Sequence, residues 1–237
     1  MNCCCRRSAC PHSACVLLLG LTYRTLRLSC QMDMLTIGSR SALFEYRVNQ
    51  TTGKVTSKGA GPGGSALTVS QSRAQLSLWA ALKSPLLVSA DFNEVATWAA
   101  DPAKPEVGSG ADLIEILKNE EVLAVSDDPL GMEAVRLEDQ KGSKSSPDVF
   151  VGAMSGGKYV AVLFSRSGDT NLTLALSDLK LAGGSAAAAD AAAAAASSGY
   201  TVRDLWKHTD NGTVAADGEL TAVVGSQDVV MVTLTPA

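Results

Sequence analysis

One aspartate with a methionine on each side stands out among the residues that could do chemistry. Asp33 lies between Met32 and Met34, and the short apolar run LTIG follows. A carboxylate beside an apolar wall can accept hydrogen bonds from a small polar ligand. Taken alone, the pattern also fits two methionines that fill gaps in a core and an aspartate that caps a turn.

Other polar residues favour structural roles. Asp91 ends the run LLVSA, where a carboxylate commonly caps a helix. Asp127 and Asp128 precede Pro129, and adjacent carboxylates on such a turn usually diverge, which favours an Asx turn. His208 has no cysteine or second histidine near it in the sequence, so we expect a surface or hairpin histidine and no metal ligand.

The first 30 residues differ from the rest of the chain. They contain every cysteine, and Asp33 is the first acidic residue. These cysteines and His12 fit no common zinc spacing, so we predict no metal site. Arg6 and Arg7 before ACVLLLGL resemble a weak signal peptide, and a mispredicted start is the other interpretation of residues 1–30.

Composition narrows the possible partners. The chain has 237 residues and a formal net charge of −4, with no basic stripe, which argues against a nucleic-acid partner. No apolar stretch is long enough to span a bilayer, so no membrane partner is expected. The length suits one large domain or two smaller ones.

The elements that would position Asp33 alternate between strands and helices. MDMLTIG and LLVSA predict short buried strands, and EVLAV a third. A helix is predicted between the first two, because Leu76, Trp79 and Ala80 share a face, and it should end near Ser84, which precedes a proline.

Capping signals place a second helix, and glycine-rich stretches separate the elements. Ser109 and Asp112 are capping candidates for the helix ADLIEILKN. Residues 38–66 and 96–110 are predicted loops. Alternation of strands and helices is typical of an α/β barrel or a doubly wound sheet.

A different pattern begins near Asp148. Six or more short apolar strands separated by Gly, Asn and Asp predict an antiparallel β-sandwich over residues 148–237. An alanine-rich insertion, residues 182–199, interrupts it. Three triplets are N-glycosylation candidates, at Asn49, Asn171 and Asn211, and together they favour a secretory route.

Six sequence blocks, taken together, resemble glycoside hydrolase family 27, the α-galactosidases and α-N-acetylgalactosaminidases. The blocks occur in family order and are MDMLTIG, LSLWAALKSPLLVSAD, LKNEEVLAVSDDPLG, VGAMSGGKYVAVLFSRS, VRDLWKH and VVMVTLTP. They correspond to the C-terminal part of the family. The resemblance implies the last two βα units of a (β/α)₈ barrel in residues 31–130, followed by the sandwich.

The resemblance also implies an activity and a set of sugar contacts. Family members hydrolyse terminal α-linked galactose by a retaining mechanism that uses two carboxylates and no cofactor. Asp33 resembles the aspartate that hydrogen-bonds sugar hydroxyls, Met34 the methionine beside it, and Asp91 an aspartate that supports the site or caps a helix. The implied location is secreted, vacuolar or lysosomal, and the implied partners are α-galactosides.

Both catalytic aspartates of the family belong to motifs upstream of these blocks, so we expect no catalytic residue in this chain. We expect the chain to resemble a C-terminal fragment that is inactive by itself. The alternative is a non-catalytic β-sandwich that binds carbohydrate or another protein.

Overall fold

The computed structural model describes residues 34–39, 44–48, 55–59, 67–139, 142–182 and 199–237, with only the backbone of 44–48 and 55–59. Asp33 and Asn49, two of the predicted site residues, lie outside the described residues. The same is true of residues 1–30 and of most of the alanine-rich insertion.

A six-stranded antiparallel sheet is the largest element. Its strand order is β3-β4-β5-β10-β7-β8. The strands are β3 (Val135–Arg136), β4 (Val149–Ala153), β5 (Tyr159–Phe164), β10 (Val229–Pro236), β7 (Tyr200–Asp204) and β8 (Thr209–Val214). A second antiparallel sheet pairs β6 (Thr170–Ala175) with β9 (Glu219–Val224). The predicted antiparallel β-sandwich is confirmed.

In the part of the chain that the structure describes, four α-helices precede the sandwich strands. They are α1 (Val69–Ala81), α2 (Phe92–Val95), α3 (Gly110–Leu117) and α4 (Glu120–Ser126). Single turns of 3₁₀-helix lie at Pro105–Val107, Leu137–Asp139 and Ser155–Gly157, and a longer one at Leu176–Leu181. α1 ends near the position that Pro85 predicts, and the Ser109–Asp112 capping box of α3 is present as predicted.

Apolar clusters cover both faces of the six-stranded sheet at its central strands, whereas the edge strand β8 is exposed. Leu163 and Leu234 face the β6–β9 sheet in one apolar cluster, whereas Val162 and Met231 pack with the helices in the other. β5 is therefore an almost continuous apolar run, as expected of a strand covered on both sides. The result is three layers, with helices on one face of the large sheet and the small sheet on the other.

Three predictions for the α/β region were wrong. EVLAV forms α4, because the side chain of Asn119 accepts the N–H of Val122 and starts a helix there. LLVSA forms a single β-bridge at Val88, with no partner strand on its other side among the described residues. The predicted loop 38–66 contains an antiparallel hairpin of β1 (Phe44–Val48) and β2 (Val55–Gly59).

The predicted partial barrel is not shown. Within the described ranges, the α/β region contains one parallel bridge, between Leu35 and Val88, with α1 in the connection. A single bridge is consistent with a strand–helix–strand unit but does not make a barrel wall.

Candidate functional site

The parallel bridge holds the described segment that begins at Met34. Leu35 N–H donates to the Leu87 carbonyl at 2.8 Å, and Ser89 N–H donates to the Leu35 carbonyl at 3.2 Å. The Ser89 hydroxyl donates to the same Leu35 oxygen at 3.0 Å. Thr36 N–H donates to Gln75 Oε1 on α1 at 3.0 Å, which ties the first segment to the helix. These bonds hold the chain immediately after Asp33 in a defined position.

Apolar side chains lie exposed beside this bridge. Leu35 and Ile37 are fully buried, whereas Met34 is 49% exposed and Leu87 is 60% exposed. Phe92, at the start of α2, is 47% exposed. Alternate residues along this segment therefore point into the core and into solvent. An exposed apolar edge of this kind marks a place where a ligand or another part of a protein can bind.

Asp91 caps a helix at the far end of the same segment. Its Oδ1 accepts the N–H groups of Asn93 at 2.9 Å and Glu94 at 3.4 Å, at the start of α2. The structure therefore uses the Asp91 carboxylate as the N-cap of α2.

The two described glycosylation candidates lie on the surface of the sandwich. Asn171 is an exposed residue of β6, and Asn211 is an exposed residue of β8. Both sequons are accessible in the folded chain.

The structural interpretations of Asp128 and His208 are confirmed. Asp128 Oδ1 accepts the N–H of Leu130 at 3.0 Å, which is an Asx turn, and its carboxylate also accepts the Ser155 hydroxyl at 2.6 Å. Burial raises the pKa of Asp128, but the bonds from Ser155 and Leu130 outweigh it and leave the pKa lowered. His208 is exposed in the turn between β7 and β8.

A charged cluster that the sequence did not predict joins α4 to the six-stranded sheet. Arg203 donates to both carboxylate oxygens of Glu121, with Nε–Oε2 3.0 Å and Nη2–Oε1 2.9 Å. His208 Nδ1 lies 2.6 Å from Glu121 Oε1. Hydrogen bonds from Arg203, with a smaller contribution from His208, lower the pKa of Glu121 to about 2 despite partial burial. Glu121 is therefore a carboxylate at neutral pH.

An open groove of about 970 Å³ lies beside this cluster. Helix residues line one side, and Trp206 and His208 from the β7–β8 turn line the other. Trp206 Nε1 donates to Ser77 Oγ on α1 at 2.9 Å, so the indole is held in place. The lining combines carboxylates, cations and apolar side chains, a mixture that suits a polar ligand with one apolar face.

Sequence spacing could not have found the Glu121–Arg203 pair, because 82 positions separate the two residues. The alternation of side chains along β7 indicates only which way Arg203 points. Val202 and Asp204 are buried, so Arg203 between them points outward, to the side that α4 covers.

Two absences concern the described part of the chain only, and the cysteines of residues 1–30 lie outside it. In that part no cluster of three or more His, Cys, Asp or Glu side chains is arranged to hold a metal ion. No helix there combines the length and apolarity that crossing a bilayer requires.

The sandwich matches a known domain family. Residues 144–234 match the family described as the alpha galactosidase C-terminal beta sandwich domain. Over 188 residues the chain is 28% identical to α-galactosidase 3 of Arabidopsis thaliana, which covers 75% of this chain and 37% of that protein. The chain thus spans less than two fifths of the length of this curated relative.

Solved structures show the same fold. A β-L-arabinopyranosidase of glycoside hydrolase family 27 from Geobacillus stearothermophilus superposes with a TM-score of 0.52 at 21% identity, covering 87% of this chain and 37% of that one. The α-galactosidase of Saccharomyces cerevisiae, solved with raffinose, superposes with a TM-score of 0.59 at 15% identity, covering 87% and 47%. At these identities the likeness concerns the fold alone.

Proposed function

Because this chain is related to the C-terminal part of glycoside hydrolase family 27, we propose that it forms the sugar-contacting C-terminal end of an α-galactosidase-like protein. The match of residues 144–234 to the α-galactosidase sandwich is the observation that carries the proposal. α-Galactosides are the proposed ligands, in line with the raffinose bound by the yeast relative. Family resemblance also suggests a secreted or vacuolar location.

Asp33 and Met34 are the proposed sugar contacts. The bonds that fix Leu35 to Leu87 and Thr36 to Gln75 would hold the preceding residues in place. A carboxylate there could accept bonds from two sugar hydroxyls, and a half-exposed methionine could pack on the apolar face of the ring. Both residues would orient the sugar and neither would take part in bond cleavage. Asp91, as the cap of α2, would support this end of the unit only indirectly.

A partial barrel is the proposed setting for these contacts. Leu35 and Val88 form a parallel bridge with α1 in the connection, and a parallel strand–helix–strand connection is the repeating unit of a (β/α)₈ barrel. The exposed side chain of Leu87 would then lie against a further barrel strand, whereas Met34 would face the sugar. Residues 31–130 would be the barrel part and residues 148–237 the sandwich part of this arrangement.

We further propose that these 237 residues do not hydrolyse α-galactosides by themselves. A retaining glycosidase needs a nucleophile and an acid/base carboxylate about 5–5.5 Å apart, and the family motifs that carry them do not occur in this sequence. Purified chain should therefore release no more nitrophenol from an aryl α-galactoside than a buffer blank does. Turnover that disappears in Asp33→Ala would contradict the proposal.

A chimaera tests the proposal that Asp33 contacts the sugar. Residues 32–237 would replace the corresponding C-terminal part of an active family enzyme, so that the catalytic pair comes from the host. Loss of a charged hydrogen-bond acceptor for two hydroxyls should lower kcat/KM in Asp33→Asn by roughly 10²-fold. Asp127→Asn in the same chimaera is the matched control, and an equal loss there would remove Asp33 from the site.

The open groove lined by Trp206 and His208 favours one alternative function, a carbohydrate-binding module that acts without catalysis. An indole held beside carboxylates and His208 can stack on a sugar ring while the charged groups bind its hydroxyls. Calorimetric titration of the full chain with galactose separates the two ideas. Binding abolished by Trp206→Ala but unchanged in Asp33→Asn would support the module, and a flat titration would reject it.

A further inference from the structure

The outer face of the β6–β9 sheet carries a sequon that the proposed function does not use. Along β6, Leu172 and Leu174 are 5% and 0% exposed and point into the sandwich. Because side chains alternate along a strand, Asn171 and Thr173 point outward, and Asn171 is exposed. Both functional positions of the triplet Asn171-Leu172-Thr173 therefore lie on one solvent-facing surface.

A large apolar side chain lies next to Asn171 on this face. The strand register pairs Asn171 with Val223 of β9, and Val223 is 70% exposed. The next outward pair is Thr173 and Thr221, whose hydroxyls lie 3.0 Å apart. Directly opposed residues in an antiparallel pair have Cβ atoms about 4.5–5.5 Å apart. A group attached to Asn171 would therefore reach Val223.

Val223 differs from the other exposed large apolar residues. Within the described ranges these are Met34, Leu87 and Phe92, all at or near the parallel bridge, and Val223 in the sandwich. The bridge residues belong to the surface that the proposed barrel and its bound sugar would cover. Val223 has no such explanation, since it lies on the outer side of a two-stranded sheet whose inner side faces the core.

We propose that Asn171 carries an N-linked glycan whose first sugar ring covers Val223. The sequon supplies the acceptor, and a sugar ring has an apolar face that can pack on a valine side chain. The glycan would remove an exposed apolar side chain from water. It would also keep other molecules from packing on the outer face of the small sheet. This inference does not depend on the proposed function.

The modification is a group transfer without oxidation or reduction. An oligosaccharide carried on a polyprenyl diphosphate is the co-reactant, and an oligosaccharyltransferase is the catalyst. The Asn171 amide nitrogen attacks the anomeric carbon, a C–N bond forms, and the bond from that carbon to the diphosphate oxygen breaks. The amide proton passes to a base, and the polyprenyl diphosphate leaves.

Asn211 provides an internal comparison. It lies in β8 beside Gly212, at an irregular point of the strand pairing, and its Oδ1 accepts from the Thr209 hydroxyl at 3.3 Å. The residues of β8 around it, Thr209, Asp210 and Thr213, are exposed and polar. A glycan at Asn211 would have no exposed large apolar side chain of this strand to cover, because Val214 packs against the sandwich core.

Mass spectrometry of secreted protein tests the site. The full chain would be expressed in a eukaryotic host with a secretion signal fused ahead of Met1, then treated with peptide N-glycosidase in heavy-oxygen water. We expect heavy aspartate at position 171, no label there in Thr173→Ala, and label again in Thr173→Ser, which keeps the sequon. An unlabelled Asn171 in secreted protein whose host glycosylates a reporter would overturn the proposal.

Paired variants test the contact with Val223. We expect secreted Asn171→Gln to self-associate at least several-fold more than Asn211→Gln in sedimentation velocity, and the addition of Val223→Thr should reverse the increase. Equal behaviour of Asn171→Gln and Asn211→Gln would overturn the covering role, as would failure of Val223→Thr to reverse the effect.

Discussion

Two apolar runs of similar composition differ in strand pairing and in burial. YVAVLF becomes β5, with hydrogen-bonded strands on both edges and apolar layers on both faces, and Val162 and Leu163 are fully buried. LLVSA makes one bridge, and Leu87 remains 60% exposed. The comparison teaches that an apolar run predicts burial only where other elements supply both neighbouring strands and covering layers.

The largest effect on the free energy of unfolding should come from shortening a buried side chain of β5. Leu163→Ala removes a fully buried side chain from the sandwich core, so the free energy of unfolding should fall by about 2–5 kcal/mol. Leu87→Ala makes the same chemical change on the exposed segment and should cost less than about 0.5 kcal/mol. Urea unfolding followed by circular dichroism measures both, and similar losses in the two variants would invalidate the comparison.

The next effect concerns a buried carboxylate on the sandwich side. Asp178 is 2% exposed, and its Oδ2 accepts bonds from Ser143 Oγ at 2.9 Å, Lys144 N at 2.7 Å and Ser145 N at 2.9 Å. Burial raises the pKa of Asp178, but these donors, with the Ser145 hydroxyl, outweigh burial and leave the pKa lowered. Asp178→Asn should cost about 2–3 kcal/mol, because an amide cannot accept from all these donors.

The same group makes the stability depend on pH. Since its folded pKa lies below the ordinary value of 3.8, its stabilisation is present above about pH 4 and is lost as the pH falls further. Thermal unfolding of wild type and Asp178→Asn from pH 7 to pH 3 should therefore show a gap that narrows in acid. A gap of constant size would contradict this role for the carboxylate.

A smaller effect is expected at the contact between α4 and the sheet. The pKa of Glu121 is lowered to about 2 from 4.5, so the contribution of this carboxylate is present above pH 4.5 and disappears between there and about pH 2. Because the pair with Arg203 is partly exposed and solvent screens it, Glu121→Gln should cost only about 1 kcal/mol at pH 7. Glu115→Gln, in the exposed pair with Lys118, is the control and should be near neutral. A greater loss in Glu115→Gln than in Glu121→Gln would reverse the ranking.

The smallest effect on stability should accompany a visible change at the exposed edge. Leu87→Ser with Phe92→Ser should change the free energy of unfolding by less than about 0.5 kcal/mol per site, because Leu87 is 60% exposed and Phe92 is 47% exposed. Binding of an apolar fluorescent dye should fall, since these residues form much of the exposed apolar surface in this region. Unchanged dye binding would show that other residues provide that surface.

Local signals predicted the elements whose causes lie within a few residues. The Ser109–Asp112 box starts α3, and Pro85 follows the end of α1 by four residues. For α4 a local signal also existed, because the side chain of Asn119 caps the helix. The prediction missed it because the valine-containing run EVLAV favours a strand.

Candidate site residues were only partly predictable. The Asx turn of Asp128 and the cap made by Asp91 involve bonds to residues two or three positions ahead, so their residue types point to them. Glu121 meets Arg203, and Trp206 meets Ser77, only because α4 and α1 pack against the six-stranded sheet. No short pattern encodes such a meeting.

By itself, therefore, the sequence determined the helix caps, the turns and the inward alternation of the sandwich strands, because each depends on neighbours along the chain. Only the tertiary structure decided that the central strands of the six-stranded sheet are covered on both faces, that LLVSA makes a single bridge among the described residues, and that Asn171 lies opposite Val223. These outcomes depend on which apolar surfaces the elements bury when they pack together. Because the hydrophobic effect is not directional, the sequence of one element does not specify its packing partner.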